Sequence, residues 1–210
     1  MKVGSEVIAI VNYGMGNLAS INNMLKKIGA KSEITSDPAR IRSAQKLILP
    51  GVGAFDTGMK RLADLGLMDV LNEQVRQRGI PVLGICLGMQ LMTAGSEEGA
   101  LSGLAWIDAD TRRFRPLENS ALKVPHMGWN VVRSEKPSAL LRNCVGEQRF
   151  YFVHSYYVCC RSRADVLLTS DFAGTFDAGF ERANIMGVQF HPEKSHRFGM
   201  SLLRNFAEGA

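Results

Sequence analysis

The first half of the chain alternates short apolar runs with amphipathic stretches, and this alternation restricts its possible folds more than any other feature. EVIAIVNYG is an apolar run that closes on a glycine turn, and LASINNMLKKIG follows it with helical spacing. A short run near SEIT and the apolar KLILPG come next. The stretch MKRLADLGLMDVLNEQVRQRG then reads as helix, leading into IPVLGIC and a helical LGMQLMTAG. Strands that each feed a helix and return to a strand pair in parallel through right-handed crossovers, with helices on both faces of one sheet. Gly29 and Gly79 stand where C-terminal helix caps are expected. After about Leu104 the texture changes to shorter aromatic and β-branched runs: NVVRS, RFYFVHSYYVC, DVLLTSD and FDAGFERANIMGVQFHPE, with LLRNFAEG as a closing helix. These read as mixed or antiparallel strands. The expected fold is a single α/β domain with a central, mostly parallel sheet, helices on both faces and antiparallel strands added in the C-terminal half.

Length and composition agree with that expectation. At 210 residues, 46% hydrophobic and 21% charged, the chain can build one core, and it contains no apolar run of membrane-spanning length. The opening MKVGSEVIAIVNYG reads as a first strand and not as a secretory leader. Cys86, Cys144, Cys159 and Cys160 need not be bridged in a chain with a full core, and a reducing cytoplasm is expected. The four histidines, His126, His154, His191 and His196, are scattered and no CxxC occurs, so no metal is expected. The net charge of +5 comes in short groups, RQR at Arg76, RRFR at Arg112 and RSR at Arg161, which suit solvated faces or a protein interface better than nucleic acid.

The turn GICLGMQ concentrates the chemistry. Ligands of open α/β sheets gather beyond the carboxyl ends of parallel strands, and Cys86 stands at such a strand-to-helix junction. Gly84 and Gly88 flank it at i−2 and i+2, the pattern of a nucleophile elbow, whose sharp bend needs small neighbours. The N-terminus of the next helix favours a thiolate, and the amide of Leu87 can stabilise an oxyanion. The alternative is a packed, inert thiol. VQFHPE supplies partners: if the chain stays extended through Pro192, the period of two puts the His191 ring and the Glu193 carboxylate on one side. Such a carboxylate fixes the ring's tautomer and supports the imidazolium of a Cys-His-acid set.

GICLGMQ, FHPEKS and LPGVGAF together resemble the class I (triad) glutamine amidotransferases. With NYGMGN at Asn12, PHMGWN at Pro125 and YFVHSYY at Tyr151, the chain is similar to the glutaminase subunits of imidazole glycerol phosphate synthase, the HisH family, over nearly its whole length. The resemblance implies one glutamine amidotransferase type 1 domain over residues 1–210, with a flavodoxin-like fold and no cofactor. It implies that Cys86 is the nucleophile, His191 the general base and acid, and Glu193 the orienting carboxylate. Gly51, Val52 and Gly53 match the family's oxyanion loop, whose glycines let a peptide plane turn. Gln90, His154, Ser155 and Tyr156 match positions that hold L-glutamine. His126, Met127 and Trp129 match the docking surface for the partner, a (β/α)8-barrel cyclase of the HisF type that forms a heterodimer with the glutaminase. Read from the residues alone, PGVG is equally a strand-end turn, HSY sheet packing and Trp129 a lid on the core.

Released ammonia is mostly protonated in neutral water and has then no lone pair for attack, so a glutaminase of this type needs a synthase docked over its site. Neither nucleic acid nor membrane is an expected partner. Three rival readings stand beside this one. Gly14, Gly16 and Ala19 form G-x-G-x-x-A after a strand, with Asp37 downstream, a dinucleotide fingerprint weakened by Asn12 and Tyr13. A silent regulatory subunit keeps the fold without the chemistry. A paralogue feeding another synthase, such as one for surface-polysaccharide sugars, keeps the chemistry and changes the partner.

Overall fold

Along the chain, β1 (Val7–Val11) is followed by α1 (Leu18–Lys27), β2 (Lys31–Thr35), α2 (Pro38–Ser43), β3 (Lys46–Gly51), α3 (Phe55–Asp64), α4 (Leu67–Asn72), β4 (Val82–Cys86) and α5 (Leu87–Leu91). The second half holds β5 (Ala109–Arg113), β6 (His126–Ser134), β7 (Gln148–His154), β8 (Tyr156–Cys160), β9 (Val166–Asp171), β10 (Thr175–Arg182), β11 (Ile185–Val188) and α6 (His196–Gly209). This computed structural model describes residues 6–118 and 121–209, so the opening MKVGS of the expected first strand lies outside the described residues.

Parallel strands run in the order β2-β1-β3-β4-β11, and the sheet continues antiparallel through β10, β9, β6 and β7. The late strands β5 and β8 pair with each other, and β8 leans on β10. Alternation along each parallel strand sorts its side chains between two cores. Ala9, Val11, Leu47 and Leu49 face Phe55, Met59 and Leu62 of α3 and Leu87 and Leu91 of α5. Ile8, Ile10, Ile48, Leu83 and Ile85 face Ile21 and Leu25 of α1 and Leu202, Leu203 and Phe206 of α6. Each such Val, Leu, Ile, Met or Phe side chain fully buried contributes roughly 1.5–3 kcal/mol, which is why the central strands are apolar on both faces. Among the described residues, no helix is long and apolar enough to cross a membrane.

Several elements differ from the sequence expectation. The long helix expected before Ile80 is broken at Gly66, which takes φ 65°, and its second part ends in a π turn over Glu73–Gln77. Leu65 and Gly66 cap α3 by donating to Arg61 and Ala63 carbonyls, so the backbone turns before α4 begins. The helix after Cys86 spans only Leu87–Leu91, too short for a substantial dipole. RFYFVHSYYVC divides at Ser155 into β7 and β8, because its halves pair with different partners. RRFR straddles the end of β5: Arg112, Arg113 and Arg115 are exposed as the charged-face reading expected, while Phe114 between them turns inward and stacks on Tyr157 at 4.5 Å. In the RSR group, Arg161 pairs with Asp108 and Asp110, and Arg163 with Asp177. All four cysteines are free.

Candidate active site

Cys86 occupies the sharp bend between β4 and α5, with φ 53° and ψ −110°. A non-glycine residue held there stores backbone strain, and the two adjacent glycines show what holds it. A Cβ on Gly88 would lie 1.7 Å from the Leu49 carbonyl oxygen, and one on Gly84 would lie 2.8 Å from the Met89 backbone. Only glycines let α5 descend this closely onto β3 and β4. The register pairs Gly51 with Cys86 and Ile85 with Val188, so the carboxyl ends of β3, β4 and β11 converge.

His191 lies three residues beyond β11. The chain does not stay extended through Pro192, as the sequence reading expected; Pro192–Lys194 form a 3-10 turn, which the proline's fixed φ helps to start. The turn still carries Glu193 back to the ring, and Glu193 Oε1 lies 2.8 Å from His191 Nδ1, with the side chains 2% and 1% exposed. Backbone contacts lock the histidine: its N–H donates to the Tyr151 carbonyl at 2.9 Å, and its carbonyl accepts from the Ser195 hydroxyl at 2.6 Å. Ser195 in turn accepts from the Tyr151 N–H. Burial alone would lower the pKa of the ring, but the Cys86 sulfur and the Glu193 carboxylate outweigh it and raise the pKa to about 10. A ring that holds its proton at neutral pH can deliver it to a departing amine. Thiol, imidazole and carboxylate in this order suit nucleophilic acyl transfer.

Gln189, which the sequence reading did not single out, is fully buried and touches the thiol, its Nε2 donating to Cys86 Sγ at 3.7 Å. Its orientation follows from its neighbours. Gln90 Nε2 donates to the Tyr156 carbonyl and to Gln189 Oε1, each at 3.1 Å, which turns the amide nitrogen of Gln189 toward sulfur. The signal lay in the sequence: Gln189 precedes His191 by two residues, one strand period.

The remaining expected site residues divide. Leu87, Gly51, Val52 and Gly53 lie around the thiol end of β3 and β4, where an elbow draws its two oxyanion amides: the residue after the nucleophile and the loop after the neighbouring strand. His154 is not free to bind a ligand through its ring, because Nδ1 donates to the Tyr156 carbonyl at 2.7 Å and Nε2 meets His126 Nδ1 at 3.0 Å. The half-buried Ser155 and Tyr156 stay at the site's edge; the Ser155 carbonyl accepts from Phe114 N. His126, expected on a docking surface, is instead buried, its ring stacked on Phe152 and Phe172. Strand alternation puts it opposite Met127 and Trp129, which are 62% and 42% exposed. Trp129 does not cap the core: it stacks on His196 at 5.6 Å and meets Tyr151 edge-on, next to the His191 turn. Asp37, the candidate ribose ligand of the dinucleotide reading, caps α2 by accepting from Ala39 N at 2.8 Å.

The family model described as glutamine amidotransferase class-I matches residues 9–210, and the chain belongs to that family. Within it, the chain is 53% identical over 204 residues to imidazole glycerol phosphate synthase subunit HisH 2 of Methanococcus maripaludis, covering 97% of this chain and 100% of that protein. It is 50% identical to the subunit HisH 2 of Pseudomonas aeruginosa, covering 96% and 99%. A crystal structure of a glutamine amidotransferase superposes with a TM-score of 0.68 over 93% of this chain and 98% of the other; at 17% identity this likeness speaks to the fold alone.

Proposed function

We propose that this chain is the glutaminase subunit of an imidazole glycerol phosphate synthase, hydrolysing L-glutamine and passing ammonia to a HisF-type (β/α)8-barrel cyclase in the cytoplasm. The observation that carries the reading is the buried His191–Glu193 pair set beside the Cys86 thiol at the converging ends of β4 and β11, with His191 Nε2 left without a hydrogen-bond partner among the described residues. Similarity to HisH subunits over the whole chain supports the choice of pathway. The Cys86 sulfur attacks the side-chain carbonyl carbon of glutamine, and the carbonyl π electrons move to oxygen. Amides of Leu87 and of the Gly51–Gly53 loop receive that oxyanion. The C–N bond then breaks as His191 gives its proton to nitrogen, releasing ammonia and leaving a glutamyl thioester. Neutral His191 takes a proton from water, whose oxygen attacks the thioester; glutamate leaves and the thiol is restored. Glu193 holds Nδ1 and stabilises the imidazolium at both stages.

Met127 and Trp129 offer an exposed apolar face beside the His191 turn, which suits a partner seated over the site. Completion of the oxyanion loop by the liganded partner would make hydrolysis weak in the isolated subunit. The test is Cys86→Ala in the reconstituted complex. Glutamine-dependent synthesis should fall at least 1,000-fold, as an order of magnitude for losing a nucleophile, while ammonia-fed synthesis stays unchanged. Equal loss of both would contradict the assignment.

A second reading, a paralogue serving another synthase, draws on one observation: two similar relatives are both named HisH 2, a numbering that distinguishes them from another HisH. Complementation of a histidine auxotroph lacking its glutaminase subunit separates the two readings, and failure with a folded, glutamine-hydrolysing chain favours the paralogue.

A further inference from the structure

The segment NYGMGN carries β1 to α1 across the carboxyl end of the sheet, and the reaction described above gives it no role. Its residues press on the end of β3 and the loop that follows it. The Tyr13 hydroxyl donates to the Pro50 carbonyl at 2.6 Å, and the whole tyrosine is buried. A Cβ on Gly51 would lie 2.4 Å from that hydroxyl and 2.9 Å from Leu87 Cβ. One on Gly16 would lie 3.3 Å from Gly51 N, and one on Gly53 would lie 2.8 Å from Met15 Cε. Pro50 and Gly51 at the end of β3 and Gly53 in the loop after it are therefore braced by Tyr13, Gly16 and Met15 of NYGMGN.

We propose that Tyr13 is a positioning residue of the oxyanion hole, its hydroxyl fixing the Pro50–Gly51 peptide so that the next amide, on Val52, is delivered to the tetrahedral oxygen. Upstream of this peptide, β3 is held by its pairing with β4, which ends at Gly51 and Cys86. Downstream, Val52 is exposed, and Gly53 adopts φ 112°. The Pro50 carbonyl is thus anchored by a side chain just where the pairing with β4 runs out at Gly51, and rotation of the Gly51–Val52 peptide starts from the plane that Tyr13 sets. Burial raises the phenol's pKa, keeping the hydroxyl a donor at every pH at which the protein works. A displaced oxyanion donor costs rate in the acylation step and leaves binding of the ground-state amide intact.

This inference rests on the glutaminase reading, and its test separates the two. In the complex with cyclase and nucleotide, Tyr13→Phe keeps the ring and removes the hydroxyl. We expect kcat for glutamine hydrolysis to fall about tenfold, the rate equivalent of one hydrogen bond, with KM for glutamine within about twofold. Alkylation of Cys86 by iodoacetamide, a displacement that forms no oxyanion, should keep its rate. Replacement of Tyr13 by 3-fluorotyrosine, which retains the hydroxyl, should keep kcat within about twofold of wild type. An unchanged kcat in Tyr13→Phe, or alkylation that falls in step with kcat, would overturn the proposal. So would equal losses in the phenylalanine and fluorotyrosine proteins. The wild-type complex in the same assay checks the underlying reading: no glutamate there overturns both, whereas turnover unaffected by Tyr13→Phe overturns only the role of Tyr13.

Discussion

A single backbone angle explains most of what happens around the sulfur. Cys86 sits at φ 53° because Gly84 and Gly88 let α5 close on the sheet, and the bend sets the thiol beside Gln189 and His191. The flanking glycines were legible in the sequence, since an elbow needs small residues on both sides. Gln189 was legible only by position, two residues before His191; that its amide donates to sulfur depends on the long-range bond from Gln90, which local patterning does not encode. Its amide donor at Cys86 Sγ supports negative charge on sulfur. Gln189→Leu removes that donor and one of the two acceptors of the Gln90 amide, which keeps its bond to the Tyr156 carbonyl. The expected outcome is a fall of about tenfold in kcat for glutamine hydrolysis, with ammonia-fed synthesis unchanged. Steady-state kinetics on the complex with each nitrogen source checks it.

Two elements, β6 and β7, link the exposed face to the substrate edge through a chain of neutral rings. Asn130 Nδ2 donates to His126 Nε2 and to the Asp171 carbonyl, His126 Nδ1 to His154 Nε2, and His154 Nδ1 to the Tyr156 carbonyl. The final acceptor is a carbonyl, so each ring carries its hydrogen on Nδ1, and a second proton has no acceptor in the chain. Burial accordingly lowers His126 to about 4 and His154 to about 3. For depressed pKa values the sign is fixed: the unfolded chain binds more protons, so the stability is fully present above about pH 6.5 and is lost as pH falls toward the folded values. The deeply buried His154 should cost about 2 kcal/mol by pH 5 relative to pH 7.5, and His126, which solvent screens more, should cost less. Urea unfolding across that range checks it, with a His126→Gln, His154→Gln protein showing a flatter profile. From sequence these histidines read as a docking residue and a substrate ligand. Alternation on β6 predicted opposite faces for His126 and Trp129, but which face was buried depended on the antiparallel pairing of β6 with β7, a long-range register that local patterning does not encode.

For the whole molecule, strand-helix alternation sufficed to reach the parallel half of the sheet, and turn chemistry located the site at its carboxyl edge. The order of the late strands was beyond reach, because β10, β9, β6 and β7 return across the sheet through loops whose lengths do not dictate their neighbours. The break at Gly66 and the turn at Pro192 were also missed; both are set by glycine or proline conformations that packing selects. What emerges is a chain whose buried Cys86, His191 and Glu193 adjoin the exposed Trp129 and the half-buried Tyr151. The most direct test is glutamate release by the purified chain, alone and then with a HisF-type cyclase and its nucleotide substrate. We expect slow release alone and a rise of about 100-fold or more with both, as an order of magnitude for completing an oxyanion hole. Absence of glutamate under every condition, with Cys86 intact, would contradict it.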